Sequence, residues 1–330
     1  MITKEHVEGI HSGVQDLNEQ VHELDASQQT IKNIVLRALE GQDNMFKMLC
    51  DVLGSIEYDH DQRGLPKSAA VFSTRARSPS PTSPGTALTE NKLTTLQMIL
   101  NVDDQHVWKD INCVRRQSHE FDTKCKYTTG VILLNGNYQR WTRNTGPDLV
   151  YLDGRPERTY DKTSPISYFC AQLAYRSKGG PHTTTTLVFF CGKHTAFNGP
   201  LVGPRGLMRS LISQALRARP TFDLDELNLS AFDGMHESIQ FDDLCYLFRL
   251  IIGQFPQGYT LFCIIDDINR LEKDEWHRDY WTIIDMLDEM VGESGPNACF
   301  KVLITSPARS KWLNGISSDR LVPVQEGGLQ

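Results

Sequence analysis

The sequence has no C-x-x-C pair, no apolar run approaching 18 residues and no excess of basic side chains. Each absence closes a class. Without cysteines paired at metal or redox spacing, the eight at 50, 113, 125, 170, 191, 245, 263 and 299 read as reduced core residues, several of them inside apolar runs such as Phe189-Phe190-Cys191. Without a long apolar run no membrane span is expected, and the polar amphipathic start Met1-Ile2-Thr3-Lys4-Glu5 does not read as a secretory signal. A reducing, cytoplasmic setting follows. The net charge is −7, and residues 1–60 account for all of it, with four Lys or Arg against eleven Asp or Glu. The near-neutral remainder offers no broad basic surface for nucleic acid.

What is present is ordinary globular composition, 39% apolar and 23% charged over 330 residues, but it is unevenly organised. Steps of three and four from Val7 land on Ile10, Val14, Leu17, Val21, Leu24, Gln28, Ile31, Val35, Ala38, Gln42, Met45, Leu49, Val52 and Ile56. A seven-residue apolar repeat of this length predicts a coiled coil over residues 1–58, roughly 75 Å long if continuous. Its partner is a second copy or another helical protein, because no other long heptad stretch is available within the chain. A helical hairpin broken near Gly41 is the other arrangement the pattern allows. Residues 59–87 then lose all periodicity, and Ser78-Pro79, Ser80-Pro81 and Ser83-Pro84 beside Arg75 and Arg77 mark a disordered linker open to a proline-directed kinase.

Residues 88–119 read as a helical lead-in, with helices expected over Leu88–Leu100 and from Asp104 toward Arg116. Thr129–Asn135 and Tyr138–Trp141 continue it toward a turn at Asn144-Thr145-Gly146-Pro147. From there apolar runs alternate with helical periods. Strands are expected at Leu149–Leu152, Leu187–Cys191, Leu261–Asp266 and Phe300–Thr305, and helices near Pro165–Leu173, Leu207–Leu216, Phe241–Ile252 and Tyr280–Val291. That alternation predicts an α/β domain over 120–330, with a mostly parallel sheet covered by helices on both faces.

The run Leu261-Phe262-Cys263-Ile264-Ile265 ends in Asp266-Asp267, which puts paired carboxylates at the carboxyl edge of the sheet, where open α/β sheets bind ligands. A plainer role, capping the following loop, is also open. A phosphate loop between the first strand and its helix would need glycines for tight bends, a lysine to reach phosphate and a hydroxyl for Mg²⁺. The segment there runs Gly154-Arg155-Pro156-Glu157-Arg158-Thr159-Tyr160-Asp161-Lys162-Thr163-Ser164. Gly154, Lys162 and Thr163 occupy the right roles, but the loop is two residues too long and places Asp161, an anion with a side chain, where glycine should precede the lysine. Two further groupings carry less. Cys191-Gly192-Lys193-His194 suggests a thiol with a base, although adjacency in sequence does not bring the two together. His277 beside Asp274 and Glu275 lacks companions at metal spacing, and Trp276, Tyr280 and Trp281 read as packing for the last long helix.

Five segments in this order, Leu149–Gly154, Leu187–Cys191, Leu207–Leu216, Cys263–Asp267 and Val302–Ser306, resemble the nephrocystin-3-like N-terminal domain. That domain is a NACHT-like P-loop NTPase module of the STAND class, common in fungal proteins, and the likeness covers about 120–315. It implies a nucleotide-operated switch, Lys162 and Thr163 for phosphate and Mg²⁺, Asp266 and Asp267 for Mg²⁺ and water, and Thr305 with Ser306 sensing the γ-phosphate. The sequence departs from the family at the phosphate loop and at Thr305-Ser306-Pro307-Ala308, where Arg309 is displaced from its usual place. The expectation is a STAND-like signalling or scaffold protein with an inactive, pseudo-NTPase module. The alternative is a slow Mg²⁺-dependent ATPase or GTPase switch working through an irregular loop. ATP or GTP with Mg²⁺ is the implied cofactor, and no bound nucleotide at all is equally open.

Overall fold

The computed structural model describes residues 84–103, 105–117, 122–154, 163–177, 183–196, 199–219, 222–223, 239–292, 298–313 and 316–324. The expected coiled coil over 1–58 lies outside them, as does the linker up to residue 83. All described residues belong to one compact unit, Leu49–Gln330.

Four helices come first: α1 Pro84–Leu100, α2 His106–Gln117, α3 Asp122–Leu134 and α4 Gly136–Arg143. The α/β part then runs β1 Asp148–Gly154, α5 Pro165–Ser177, β2 Thr184–Phe190, α6 Gly203–Ala218, α7 Phe241–Gly253, β3 Thr260–Asp266, α8 His277–Gly292, β4 Cys299–Ser306 and β5 Leu321–Val324. The five strands form one sheet in the order β2-β3-β4-β1-β5, and every neighbouring pair is parallel. The expected parallel α/β sheet flanked by helices is therefore present, with one strand more than the apolar runs announced. Strand β5 pairs with β1 at an edge, where Pro323 is tolerated because only one of its sides has to carry a ladder. The Thr129–Asn135 and Tyr138–Trp141 stretches fall in or beside α3 and α4.

The strands are apolar on both sides because helices cover both. Leu149, Tyr151, Leu187, Phe189, Leu261, Cys263, Ile265, Val302 and Ile304 share a core with α1, α6, α7 and α8. Their alternates Val150, Leu152, Val188, Phe190, Ile264 and Leu303 share the other core with α2 to α5. The period of two sorts each strand between the cores, as a pleated strand requires. Tyr280 is fully buried, and Trp276 and Trp281 pack against the first core, as expected of them. Cys125, Cys170, Cys191, Cys245 and Cys263 are buried, whereas Cys113 is exposed and Cys299 half-buried, so the core reading of the cysteines holds for most but not all.

The outer edge of β2 is closed by a side chain. The Gln214 amide of α6 donates to Val188 O (2.9 Å) and accepts from Val188 N (2.9 Å), which completes hydrogen bonding that an edge strand otherwise leaves open. Gln214 also donates to the Ser210 hydroxyl (3.0 Å), and Ser210 lies 2.7 Å from His106 Nε2, so α2 is tied through α6 to the sheet. The His106 Nδ1 sits 2.6 Å from Asp103 O, which leaves Nε2 to accept the Ser210 proton. Replacing Gln214 with leucine keeps the bulk and removes both hydrogen-bonding groups. The expected loss is about 1–3 kcal/mol, read as a lower denaturation midpoint with an unchanged slope; an unchanged midpoint would show that the edge needs no such cap.

Candidate functional site

Strand β3 delivers Asp266 to the carboxyl edge beside Thr305 of β4, because Ile265 is in register with Ile304. The chain turns sharply there. Asp267 takes a left-handed conformation (φ 59°, ψ 45°), which aspartate tolerates better than most side chains, and opens the short turn Ile268–Leu271. One hydroxyl holds the bend: Thr305 Oγ1 donates to Asp266 Oδ1 (2.7 Å) and accepts from the Asp267 N–H (3.1 Å). Asp266, Asp267 and Thr305 are all buried, at 2%, 3% and 0% exposure.

Burial dominates the electrostatics. It raises the Asp266 carboxyl from 3.8 to about 7, helped by the neighbouring Asp267 charge and opposed by hydrogen bonds from Thr305 and Ser167 and by the Lys193 ammonium. Asp267 is raised to about 6 by burial against the pull of Arg270, whose Nε donates to Asp267 Oδ2 (2.8 Å). The other oxygen, Asp267 Oδ1, is buried without a hydrogen-bond partner. Helix α5 closes the site from one face: Ser164 Oγ accepts from Ser167 N (3.0 Å) and capping sets the first turn, so that Ser167 and Cys170 face Asp266 and Thr305. Cys170 is completely buried, which holds its thiol well above the usual range and makes it inert.

The second cluster lies where α5 begins. Thr163 Oγ1 donates to Gln117 Oε1 (2.5 Å), and Lys193 Nζ donates to both Gln117 Oε1 (2.7 Å) and Thr163 Oγ1 (2.7 Å). Lys193 ends the turn Cys191–Lys193 that follows β2, and Gln117 ends α2. Neither residue was a candidate from sequence. For Lys193 the available signal was its place immediately after an apolar strand, at the ligand-binding edge; for Gln117 there was none.

The remaining candidates are dispersed. Lys162 lies outside the described residues. Gly154 is glycine for a packing reason: a Cβ there would lie 2.2 Å from Pro307 O, so β1 and the turn after β4 approach too closely for any side chain. Ser306 alternates with Thr305 onto the opposite face and donates to Ala308 O. There it borders a cavity of about 440 Å³ shared with Tyr151, Asp153, Arg309 and Ser310, so the displaced Arg309 lines a concavity of its own. Cys191 and His194 do not form a pair. His194 Nε2 bonds to Asp110 Oδ2 (2.8 Å) and stacks on Phe189, while the Cys191 thiol is buried and pushed far up. His277 packs edge-on to Trp312, and among the described residues no three His, Cys, Asp or Glu gather into a metal site.

These residues do not fit the divalent ion that the resemblance implies. The Thr163 hydroxyl that would ligate it already accepts from an ammonium at 2.7 Å, and Asp266 accepts a hydrogen bond from Thr305 and is raised by burial to about 7, which weakens it as an anionic ligand. Among the described residues near it, Asp267 Oδ1 is the carboxylate oxygen left without a hydrogen-bond partner, and Asp267 is 3% exposed.

A family described as "Nephrocystin 3, N-terminal" matches residues 128–307, more than half of the chain. No curated protein sequence matches significantly. Among solved structures, one titled "Structure of Drosophila ORC bound to DNA" overlaps 78% of this chain at 13% identity with a TM-score of 0.32. The overlap covers 52% of that protein's chain, so the present chain spans about half of its length, and the fold assignment rests on the observed sheet order instead.

A pH titration isolates Asp266. Its raised value means that its contribution to stability is whole below the unfolded-state value of 3.8 and is lost as pH rises toward about 7. Asp266→Asn has no such titration, whereas His106 and Asp267 titrate in both proteins and cancel to first order in the difference. The variant should therefore gain on the parent between pH 4 and 7 by roughly 1 kcal/mol per pH unit, then level off. A difference independent of pH would mean that Asp266 is ionised in the folded protein throughout.

Proposed function

The chain belongs to the nephrocystin 3 N-terminal family, a P-loop NTPase-related group, and from that membership we propose that its α/β domain is a nucleotide-binding module without turnover. In this reading it serves a STAND-like signalling or scaffold protein that self-associates through the amino-terminal heptads. The observation that carries it is the state of Asp266. A carboxylate that activates water must be within reach of it. Asp266 is 2% exposed and holds the Thr305 hydroxyl at 2.7 Å, so it braces the β3–β4 exit rather than facing a substrate. The irregular segment 154–164 points the same way, since Asp161 opposes an anion beside Lys162. Among the described residues no helix is long and apolar enough to cross a membrane, which leaves the heptads as the attachment the sequence offers.

The full chain should show a thermal shift of a few degrees with millimolar ATP, GTP or their diphosphates at about 100 times the dissociation constant, equivalent to roughly 2.7 kcal/mol. Phosphate release should stay at the level of Asp266→Ala. Turnover that this substitution abolishes would restore the slow-hydrolase alternative, and the lack of any shift would remove nucleotide binding. Light scattering should report a dimer or larger species that is lost on deleting residues 1–58; a full-length monomer at micromolar concentration overturns self-association.

A further inference from the structure

An ammonium occupies the Thr163 hydroxyl that the resemblance assigns to Mg²⁺. We propose that Lys193 is the resident cation of this edge and receives the phosphate chain directly, so that phosphate binding here is independent of Mg²⁺. The inference rests on the nucleotide-binding reading above and goes beyond it in naming the group that holds the anion.

Three observations converge. First, Lys193 reaches the start of α5 from a different strand exit than the one that leads into the phosphate loop: it follows β2, whereas the segment 154–164 follows β1. Its position therefore does not depend on the loop's irregular length. Second, both of its partners are neutral oxygens, Gln117 Oε1 and Thr163 Oγ1, each at 2.7 Å. Among the described residues Lys193 takes part in no ion pair. An ammonium has three N–H groups, and these two bonds leave one for a ligand. Its positive charge reaches into the site far enough to oppose the rise of Asp266. Third, the donor set is wrong for a metal. A divalent cation ligated by Thr163 would sit a few ångströms from the ammonium, which repels it and already occupies the hydroxyl. A phosphate oxygen meets no such conflict. It can take the remaining N–H of Lys193 or displace Gln117, and the dipole of the 13-residue α5 adds to the attraction.

The chemistry recognised is a phosphate chain, whether free or carried on a nucleoside. Isothermal titration of the full-length protein with pyrophosphate, ATP and GTP, each in EDTA and in Mg²⁺, separates the sources and the metal. Dissociation constants that agree within about twofold with and without Mg²⁺ are expected. Lys193→Met should weaken them roughly ten- to a hundredfold, the worth of a charge-assisted hydrogen bond, and Lys193→Arg should restore most of the loss. Pyrophosphate binding as tightly as ATP assigns the whole affinity to the phosphate chain, and tighter nucleotide binding adds a contact to the base; both support the role of Lys193. Binding that requires Mg²⁺ overturns this inference and leaves nucleotide binding intact, as does binding that survives Lys193→Met. Binding of none of the three overturns the inference and the proposed function together. The EDTA comparison uses the unaltered protein, so it stands even if Lys193→Met fails to fold.

Discussion

A parallel sheet covered by helices on both faces has nowhere to place a polar side chain except at its two ends, and that constraint arranges the rest of this protein. Along β3 and β4 every side chain from Cys263 to Ile265 and from Val302 to Ile304 enters one apolar core or the other. The first polar atoms therefore appear together at one edge, where Asp266 and Thr305 meet. They are still inside the envelope of helices, so they satisfy each other: one hydroxyl takes up the carboxyl of Asp266 and the N–H of Asp267. A buried hydroxyl without such partners would cost on the order of a few kcal/mol, and a lone buried carboxylate more.

The same arrangement explains why the paired carboxylates are ambiguous as chemistry. In an open site, two acids at a strand exit attract a metal ion. Here burial lifts both, to about 7 and about 6, and each is matched by a neighbour that lessens its need for one, Thr305 for Asp266 and Arg270 for Asp267. A second cation sits on the other side of the α5 entry, on Lys193, held by neutral oxygens. The edge thus has two cations, Arg270 paired with Asp267 and Lys193 with no carboxylate bonded to it among the described residues, although its field reaches Asp266.

Much of the fold was legible because buried strands need unbroken apolar runs. Leu187–Phe190, Leu261–Ile265 and Val302–Ile304 could be read directly, and with helical periods between them they imply a parallel sheet. Strand β5 could not be read: Leu321-Val322-Pro323-Val324 is four residues long with a central proline, and only its pairing with β1 makes it a strand. The site was legible in part, since Asp266, Asp267 and Thr305 converge. Gly154 was noticed for its type, but the cause is the Pro307 backbone, which lies more than 150 residues away in sequence. Gln117 carries no local signature and Lys193 only its place after an apolar strand, since their meaning comes from three chain segments meeting.

Gln117 also joins the first helices to the sheet. The sequence divides a helical lead-in, 88–119, from an α/β domain starting at 120. In the folded protein α2 places Asp110 on His194, His106 on Ser210 and Gln117 on Thr163 and Lys193. Arg209 of α6 donates to Leu100 O at the end of α1 (2.7 Å), and Leu96, Ile99 and Leu100 enter the first core. Those contacts join the lead-in to the exit of β2 and to the first core. Gln117 holds both the hydroxyl and the ammonium of the site, so an anion that claims Lys193 must compete with the end of α2. The same helix reaches Ser210 and the Gln214 cap of β2 from its other end through His106, so one element contacts both the site and the outer edge of the sheet.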